Sequence, residues 1–297
     1  MFYLILFFSV CGYGFCFNRL LAIKYEDNIG IIVILGLIFL TLISYVTIFF
    51  IPHNYLLNLV IFFIGFIFFL KNFRIIKNLR FVFFITTILF IGLLVSKTHD
   101  DFAFYHFQTA LNLTRNKIQI GLSNLDFSYA KHSSLLYLNS LFNFPYFKYY
   151  FFNAPNQLFL TGVVLALINF SVNKKDNQFL KIFSLMTLFY ILLKFTRSAE
   201  YGTDIIGQLL ILIFTYLVFY FFLLKDKLQK EKVIILSGII CLYCFTIKTY
   251  FILYFLIYAL MIYKINIKDY LKIIINKKYF LFFLIAFTCS YITLNIF

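Results

Sequence analysis

Charge is what this sequence has least of. Only 12% of its 297 residues are Asp, Glu, Lys or Arg, and the acids number 11. Soluble globular chains carry about twice that charged fraction, so a water-soluble fold is excluded. Trp is absent, whereas Phe (45) and Tyr (23) are abundant alongside Ile, Lys and Asn. An AT-rich genome produces that bias, so the phenylalanines do not mark an aromatic binding site. No soluble domain, low-complexity linker or internal repeat is visible. A disulfide framework is also missing: Cys11, Cys16, Cys241, Cys244 and Cys289 all lie in apolar runs. Cys241 and Cys244 have redox spacing, but inside an apolar run they read as small packing residues. The first run has neither a basic leader nor a small-residue cleavage site, and it reads as a first span.

What the chain does have is apolar length. Hydrophobic residues make up 63% and the mean hydropathy is +0.95. Ten runs qualify as candidate spans: Phe2–Phe17, Ile29–Ile51, Tyr55–Leu70, Phe81–Ser96, Gln157–Val172, Phe179–Phe195, Ile205–Leu224, Val233–Ile247, Thr249–Tyr263 and Tyr279–Phe297. The expected fold is therefore all-α: a polytopic α-helical membrane protein of about ten transmembrane helices, forming one multi-pass domain over residues 1–297. One long extracytoplasmic loop covers residues 97–154.

The net charge of +15 resembles that of a nucleic-acid binder until it is mapped. Of the 26 basic residues, 18 fall in one set of alternate loops, at Arg19–Lys24, Lys71–Arg80, Lys174–Lys181, Lys225–Lys232 and Lys264–Lys278. That is a topology signal, and it places those loops in the cytoplasm. The opposite set faces outward: the Pro52-His53-Asn54 turn, the 97–154 loop, the Arg197–Asp204 loop and Lys248. Reading Val233–Tyr263 as one span would bury Lys248, so two short helices meeting at Lys248 are preferred.

The outer loop carries its own periodicity. Phe104, Phe107 and Leu111 recur at helical spacing, which predicts a helix lying flat on the membrane surface. Ser133 or Ser134 can cap a second such helix running through Leu135, Leu138 and Phe142. Gly121-Leu122-Ser123-Asn124 reads as a turn between them.

The outward set is chemically unlike the rest. It holds all four histidines, five of the eleven acids, and Arg197 and Lys248 beside apolar runs. Adjacent carboxylates at Asp100 and Asp101, just after an apolar run, are costly unless water, a cation or a substrate compensates them. The alternative is that they lie in water and cap the helix that follows. Lys97–His106, Arg197–Asp204 and Thr246–Thr249 converge on this one face.

His99-Asp100-Asp101, Tyr105-His106 and Thr246-Ile247-Lys248 resemble the GT-C superfamily of integral-membrane glycosyltransferases, and in particular its bacterial members without an assigned substrate. In much of that superfamily the acidic loop follows the first span; here it follows the fourth apolar run. The resemblance implies sugar transfer from a polyprenyl-phosphate donor on the extracytoplasmic face of a bacterial cytoplasmic membrane. Asp101, which begins a helix, or Asp100 would be the catalytic base. Lys248 and Arg197 would hold the donor phosphate. His106 would orient the base or touch phosphate, and His99 belongs with the same substrate-binding group. Glu200 and Asp204 would bind sugar hydroxyls, or a divalent cation with Asp101 as third ligand. The alternative for Glu200 and Asp204 is a capped, solvated start to the next span, and for Lys194 and Lys148 it is interfacial snorkelling. Expected partners are a polyprenyl-phosphate-linked sugar and membrane lipid, with no nucleic acid and no protein partner. The competing class is a transporter, flippase or polymerase of lipid-linked glycans, whose charged residues usually line a midplane cavity.

Overall fold

A backbone removed from water must satisfy its own N–H and C=O groups, and every apolar run accordingly forms helix. The computed structural model describes residues 1–23, 25, 27–76, 78–95, 97–98, 101–119, 121, 124, 133–147, 149–173, 177–198 and 200–296.

Helices α1 (Phe2–Leu20), α2 (Ile29–Ile48) and α3 (Tyr55–Asn72) pack together, with α1 against both others. The Asn28 side chain caps α2, accepting from the Gly30 and Ile31 N–H groups at 3.1 and 3.3 Å. Asn54 caps α3 from the Leu57 N–H at 3.0 Å. Where α1 crosses α3, a Cβ on Gly12 would collide with the Gly65 carbonyl oxygen, so the two backbones can approach only because that side chain is missing. The fourth run divides into α4 (Leu79–Leu89) and α5 (Ile91–Leu94). The outer loop supplies α6 (Phe107–Arg115) and α7 (Ser134–Ser140). Next come α8 (Ala154–Val172), packed on α2, and α9 (Gln178–Leu193), packed on α8. The short α10 (Phe195–Ser198) leads to α11 (Asp204–Leu223), which lies against α12 (Lys227–Ile247). The chain closes with α13 (Tyr254–Ile265), α14 (Ile267–Asn276) and α15 (Lys278–Ile296).

The number of crossings falls below the ten expected from the sequence. Among the described residues five helical segments are long and apolar enough to cross a membrane: Phe2–Leu20, Ile29–Ile48, Tyr55–Ile75, Tyr150–Val172 and Asp204–Leu223. A sixth arises if Thr249–Ile265 and Ile267–Asn276, bent by 98°, count as one. Length and interruption explain the difference. A crossing needs about 20 residues at roughly 1.5 Å each. Leu79–Leu94, Gln178–Leu193 and Lys278–Leu294 are shorter than that. Helix α12 uses its first turns on Lys227, Lys230, Glu231 and Lys232 before its apolar part begins at Val233. The protein is thus an all-α membrane protein with fewer full-length spans than its apolar runs suggest.

Helix α7 does not lie on the membrane surface. All of its residues are buried, inserted among α2, α6, α8 and α12. A polar belt holds it there. The His53 ring reaches the Ser140 hydroxyl through Nδ1 and Thr47 Oγ1 through Nε2 at 3.0 Å. Asn58 Nδ2 donates to the carbonyls of Ser140 and Asn143 at 3.1 and 3.2 Å. Burial lowers the His53 pKa to about 4, so the imidazole is neutral and structural. Its backbone N–H donates to Leu113 at 2.9 Å, which ties the turn after α2 to α6. The expected loop turn is present at Gly121, whose φ is +82 and whose carbonyl accepts from the Asn124 N–H at 3.0 Å.

Candidate functional site

Two short segments, far apart in sequence, meet at one end of the bundle. Lys97–Thr98 (β1) and Glu200–Tyr201 (β2) form a parallel pair, with Lys97 opposite Glu200 and Thr98 opposite Tyr201. From Asp101 the chain turns into helix through a π-helical turn, Phe102–His106, closed by the Phe107 N–H donating to the Phe102 carbonyl. The wider turn brings Asp101 and His106, five residues apart, to the wall of one cavity.

Tyr201 anchors this junction. Its ring meets Phe102 edge-on at 5.0 Å and packs with Ala110 and Phe152. Its hydroxyl donates to the Asn139 amide oxygen at 3.3 Å, while the Asn139 amide nitrogen serves the Leu135 and Phe152 carbonyls. Burial raises the Tyr201 pKa, which keeps the phenol a neutral donor. One residue on, Asn156 Nδ2 donates to the Gly202 carbonyl at 3.0 Å. These two amides clamp the loop that delivers Thr203 and Asp204. Asp204 lies in the first turn of α11, where a carboxylate is favoured by the helix dipole. The helix-start alternative is therefore realised in position, yet the side chain also faces the cavity.

Lys248 comes from the break between α12 and the turn Thr249–Leu253. Its backbone is extended at φ −149 and ψ 132, and its ammonium pairs with the Asp204 carboxylate. In the Thr-x-Lys motif only the lysine is presented to the cavity. The Thr246 hydroxyl turns inward, donating to the Tyr243 carbonyl at 2.8 Å and lying 3.1 Å from the Ser134 hydroxyl.

The cavity is about 310 Å³ in volume. Asp101, Glu200 and Asp204 contribute carboxylates; Lys194, Arg197 and Lys248 contribute cations. His106, Tyr190, Thr203 and Gln208 complete its polar wall. Tyr105 braces the acid from behind, its hydroxyl donating to Asp101 Oδ2 at 3.4 Å. Burial first, and then the Asp101 charge, push the Tyr105 pKa up to about 12, so it donates throughout the physiological range. Among the described residues Lys194 and Arg197 make no ion pair.

Six of the residues singled out from the sequence thus line one cavity: Asp101, His106, Arg197, Glu200, Asp204 and Lys248. Asp100 and His99 lie outside the described residues, as does Lys148. Lys194, read from the sequence as snorkelling, belongs to the cavity. It stands at the break between α9 and α10, where the Arg197 N–H donates to its carbonyl at 2.9 Å, and the signal is a lysine that ends an apolar run next to Arg197. The Phe104–Phe107–Leu111 stripe divides. Phe104 is 69% exposed, whereas Phe107 and Leu111 pack on the Tyr201 cluster. Among the described residues no three His, Cys, Asp or Glu side chains are grouped to hold a metal ion. Asp101, Glu200 and Asp204 share a cavity without converging on one cation.

The chain belongs to the DUF8201 family. The family model, described as a domain of unknown function, matches residues 1–295. That range includes both ends of the helical bundle and every cavity residue of the DUF8201 chain. No curated protein and no solved structure matches it.

Proposed function

We propose that this DUF8201 chain is a GT-C-type membrane glycosyltransferase. It takes a sugar from a polyprenyl-phosphate donor and passes it to an acceptor at the outer face of a bacterial cytoplasmic membrane. One observation carries the reading. A single cavity gathers carboxylates and cations, and its cations stand beside apolar side chains that face outward. Lys194 follows exposed Leu192 and Leu193, and Lys248 precedes exposed Ile252 and Leu253. An amphiphile with an anionic head and a hydrocarbon tail fits that juxtaposition.

The proposed transfer assigns a role to each of these residues. The acceptor hydroxyl attacks the anomeric carbon, and Asp101 takes its proton. The bond between that carbon and the phosphate oxygen breaks, and the phosphate leaves with the electron pair. Lys248, Arg197 and Lys194 stabilise the charge that develops there. Attack opposite the leaving group inverts the anomeric centre. Tyr105 holds Asp101 in place, and His106 orients the acceptor or the phosphate. Glu200, Thr203 and Gln208 offer hydrogen bonds to sugar hydroxyls. Orientation rests on the positive-inside reading of the sequence, in which 18 of the 26 basic residues fall in the alternate loops that do not carry the site.

The test is reconstitution of the purified chain in liposomes with a labelled sugar on polyprenyl phosphate. The proposal expects labelled product and free polyprenyl phosphate. Intact lipid-linked sugar crossing the bilayer, with no sugar released, would identify a transporter instead.

A further inference from the structure

Helix α14 stands apart from the bundle at the basic end. It leaves α13 at 98°, through Asn266, whose φ is +86 and whose side chain accepts from the Lys268 N–H at 3.3 Å. One edge of α14 is tied to the protein. Ile273 is buried, and the Tyr270 hydroxyl meets that of Tyr258 at 3.2 Å. Asp269, the single acid of this helix, takes Lys227 of α12 at 3.3 Å. The other edge is bare. Ile267, Leu271 and Ile275 are 60%, 51% and 64% exposed. Lys268 and Lys272 are exposed beside them, and Lys264 is exposed at the end of α13 just before the bend. At about 100° per residue, positions four apart form a stripe, so the three apolar side chains lie in one line and the two lysines in the next.

We infer that α14 is a binding surface for anionic phospholipid headgroups. The segment before the bend follows the spanning helix α11, with Phe251 against Gly207 and Tyr254 against Phe214, so a helix at nearly a right angle to it lies in the plane of the membrane. Ile267, Leu271 and Ile275 then enter the acyl boundary, and Lys264, Lys268 and Lys272 sit at headgroup depth against the phosphates. Charge complementarity selects an anionic lipid over a zwitterionic one. The only carboxylate of α14 is matched by Lys227 of α12 in a surface ion pair, which leaves the opposite edge apolar and cationic. Lys277 and Lys278 follow at its end. This inference does not depend on the sugar-transfer reading.

The test uses the full chain in nanodiscs of phosphatidylcholine, with spin-labelled phosphatidylglycerol or phosphatidylcholine as the probe. The parent should hold phosphatidylglycerol preferentially, and salt should weaken that preference. Lys268→Gln/Lys272→Gln should reduce the preference on the order of five-fold per lysine at low ionic strength. Lys225→Gln/Lys230→Gln, at the same end but outside α14, should leave it near the parent value. Equal losses in both pairs, or no loss in the α14 pair, would overturn the inference. A polarity-sensitive fluorophore on Leu271→Cys gives a second readout. An apolar emission supports immersion of the stripe, and a fully aqueous one refutes it.

Discussion

Lys248 and Asp204 form one ion pair, yet the proposed chemistry gives their removal opposite effects on donor binding. Replacing Lys248 with Gln removes the cation that joins the end of α12 to the start of α11. The pair is partly in water, with side chains 31% and 54% exposed. Pairs of that kind stabilise by roughly 0.2–1 kcal/mol, so Lys248→Gln should cost less than about 1 kcal/mol of unfolding free energy. A charge-assisted contact to a phosphate contributes about 1.5–3 kcal/mol. Affinity for polyprenyl phosphate should therefore fall by roughly ten- to a hundred-fold, much more than stability. Asp204→Asn works in the other direction. It releases Lys248 from a competing carboxylate and should strengthen phosphate binding by up to about five-fold. The assay is equilibrium binding of a short-chain polyprenyl phosphate to the detergent-solubilised chain, with thermal unfolding of the same samples. If both variants weaken binding equally, the pair is a structural clamp and the reasoning fails. If neither changes it, the phosphate binds elsewhere.

His53 predicts a pH dependence. Its folded pKa is about 4 against the ordinary 6.5, so between those values the unfolded chain takes up a proton that the folded chain refuses. Stability should be full above pH 6.5 and fall as pH drops towards 4, by up to roughly 3 kcal/mol. His53→Gln should flatten that stretch of the unfolding curve, and an unchanged slope would refute the assignment. At Gly207, an added Cβ would collide with the buried Phe251 ring in the turn that follows Lys248. Gly207→Ala should lower stability by about 1–3 kcal/mol and weaken phosphate binding with it; unchanged thermal unfolding and binding would show that the turn is not seated there. Reporters fused after Pro145 and after Asp226 should appear on opposite sides of the membrane, because the short α9 carries the chain back to the end where Asn156 near the start of α8 bonds Gly202, and the 20 residues of α11 then separate that end from Asp226 by roughly 30 Å. Reporters on the same side would deny the crossing.

Helix positions were legible because an apolar run in a membrane chain has almost no alternative to helix. The crossings were not, because hydropathy does not reveal where a run stops being one straight helix. Phe81–Ser96 breaks after Leu89, and the chain from Thr249 onward bends at Asn266. Lys248 at a helix break was legible, since a lysine inside an apolar stretch is tolerated only at its end. The gathering of Asp101, Arg197, Glu200, Asp204 and Lys248 was legible as a shared face, but the device that gathers them was not. The β1–β2 pair spans only two residues on each side, too short to leave an alternating pattern. The π-helical turn at Phe102–His106 has no signature in periodicity either, and it rotates Phe107 and Leu111 from lipid onto Tyr201. Helix α7 was misplaced for a related reason. Its Leu135–Leu138–Phe142 stripe reads as the one apolar face of a surface helix, whereas in the fold Ser134, Asn139 and Ser140 are buried too, each against a polar partner.

The central claim is that Asp101 removes a proton during sugar transfer. Asp101→Asn preserves the shape of the side chain and removes its basicity. The decisive measurement is the single-turnover rate of transfer from a lipid-linked sugar by the reconstituted variant, with donor affinity measured on the same preparation. The account predicts a rate lower by about two to four powers of ten, with donor affinity within about two-fold of the parent. Transfer at the parent rate would contradict it and reduce Asp101 to the first residue of a helix.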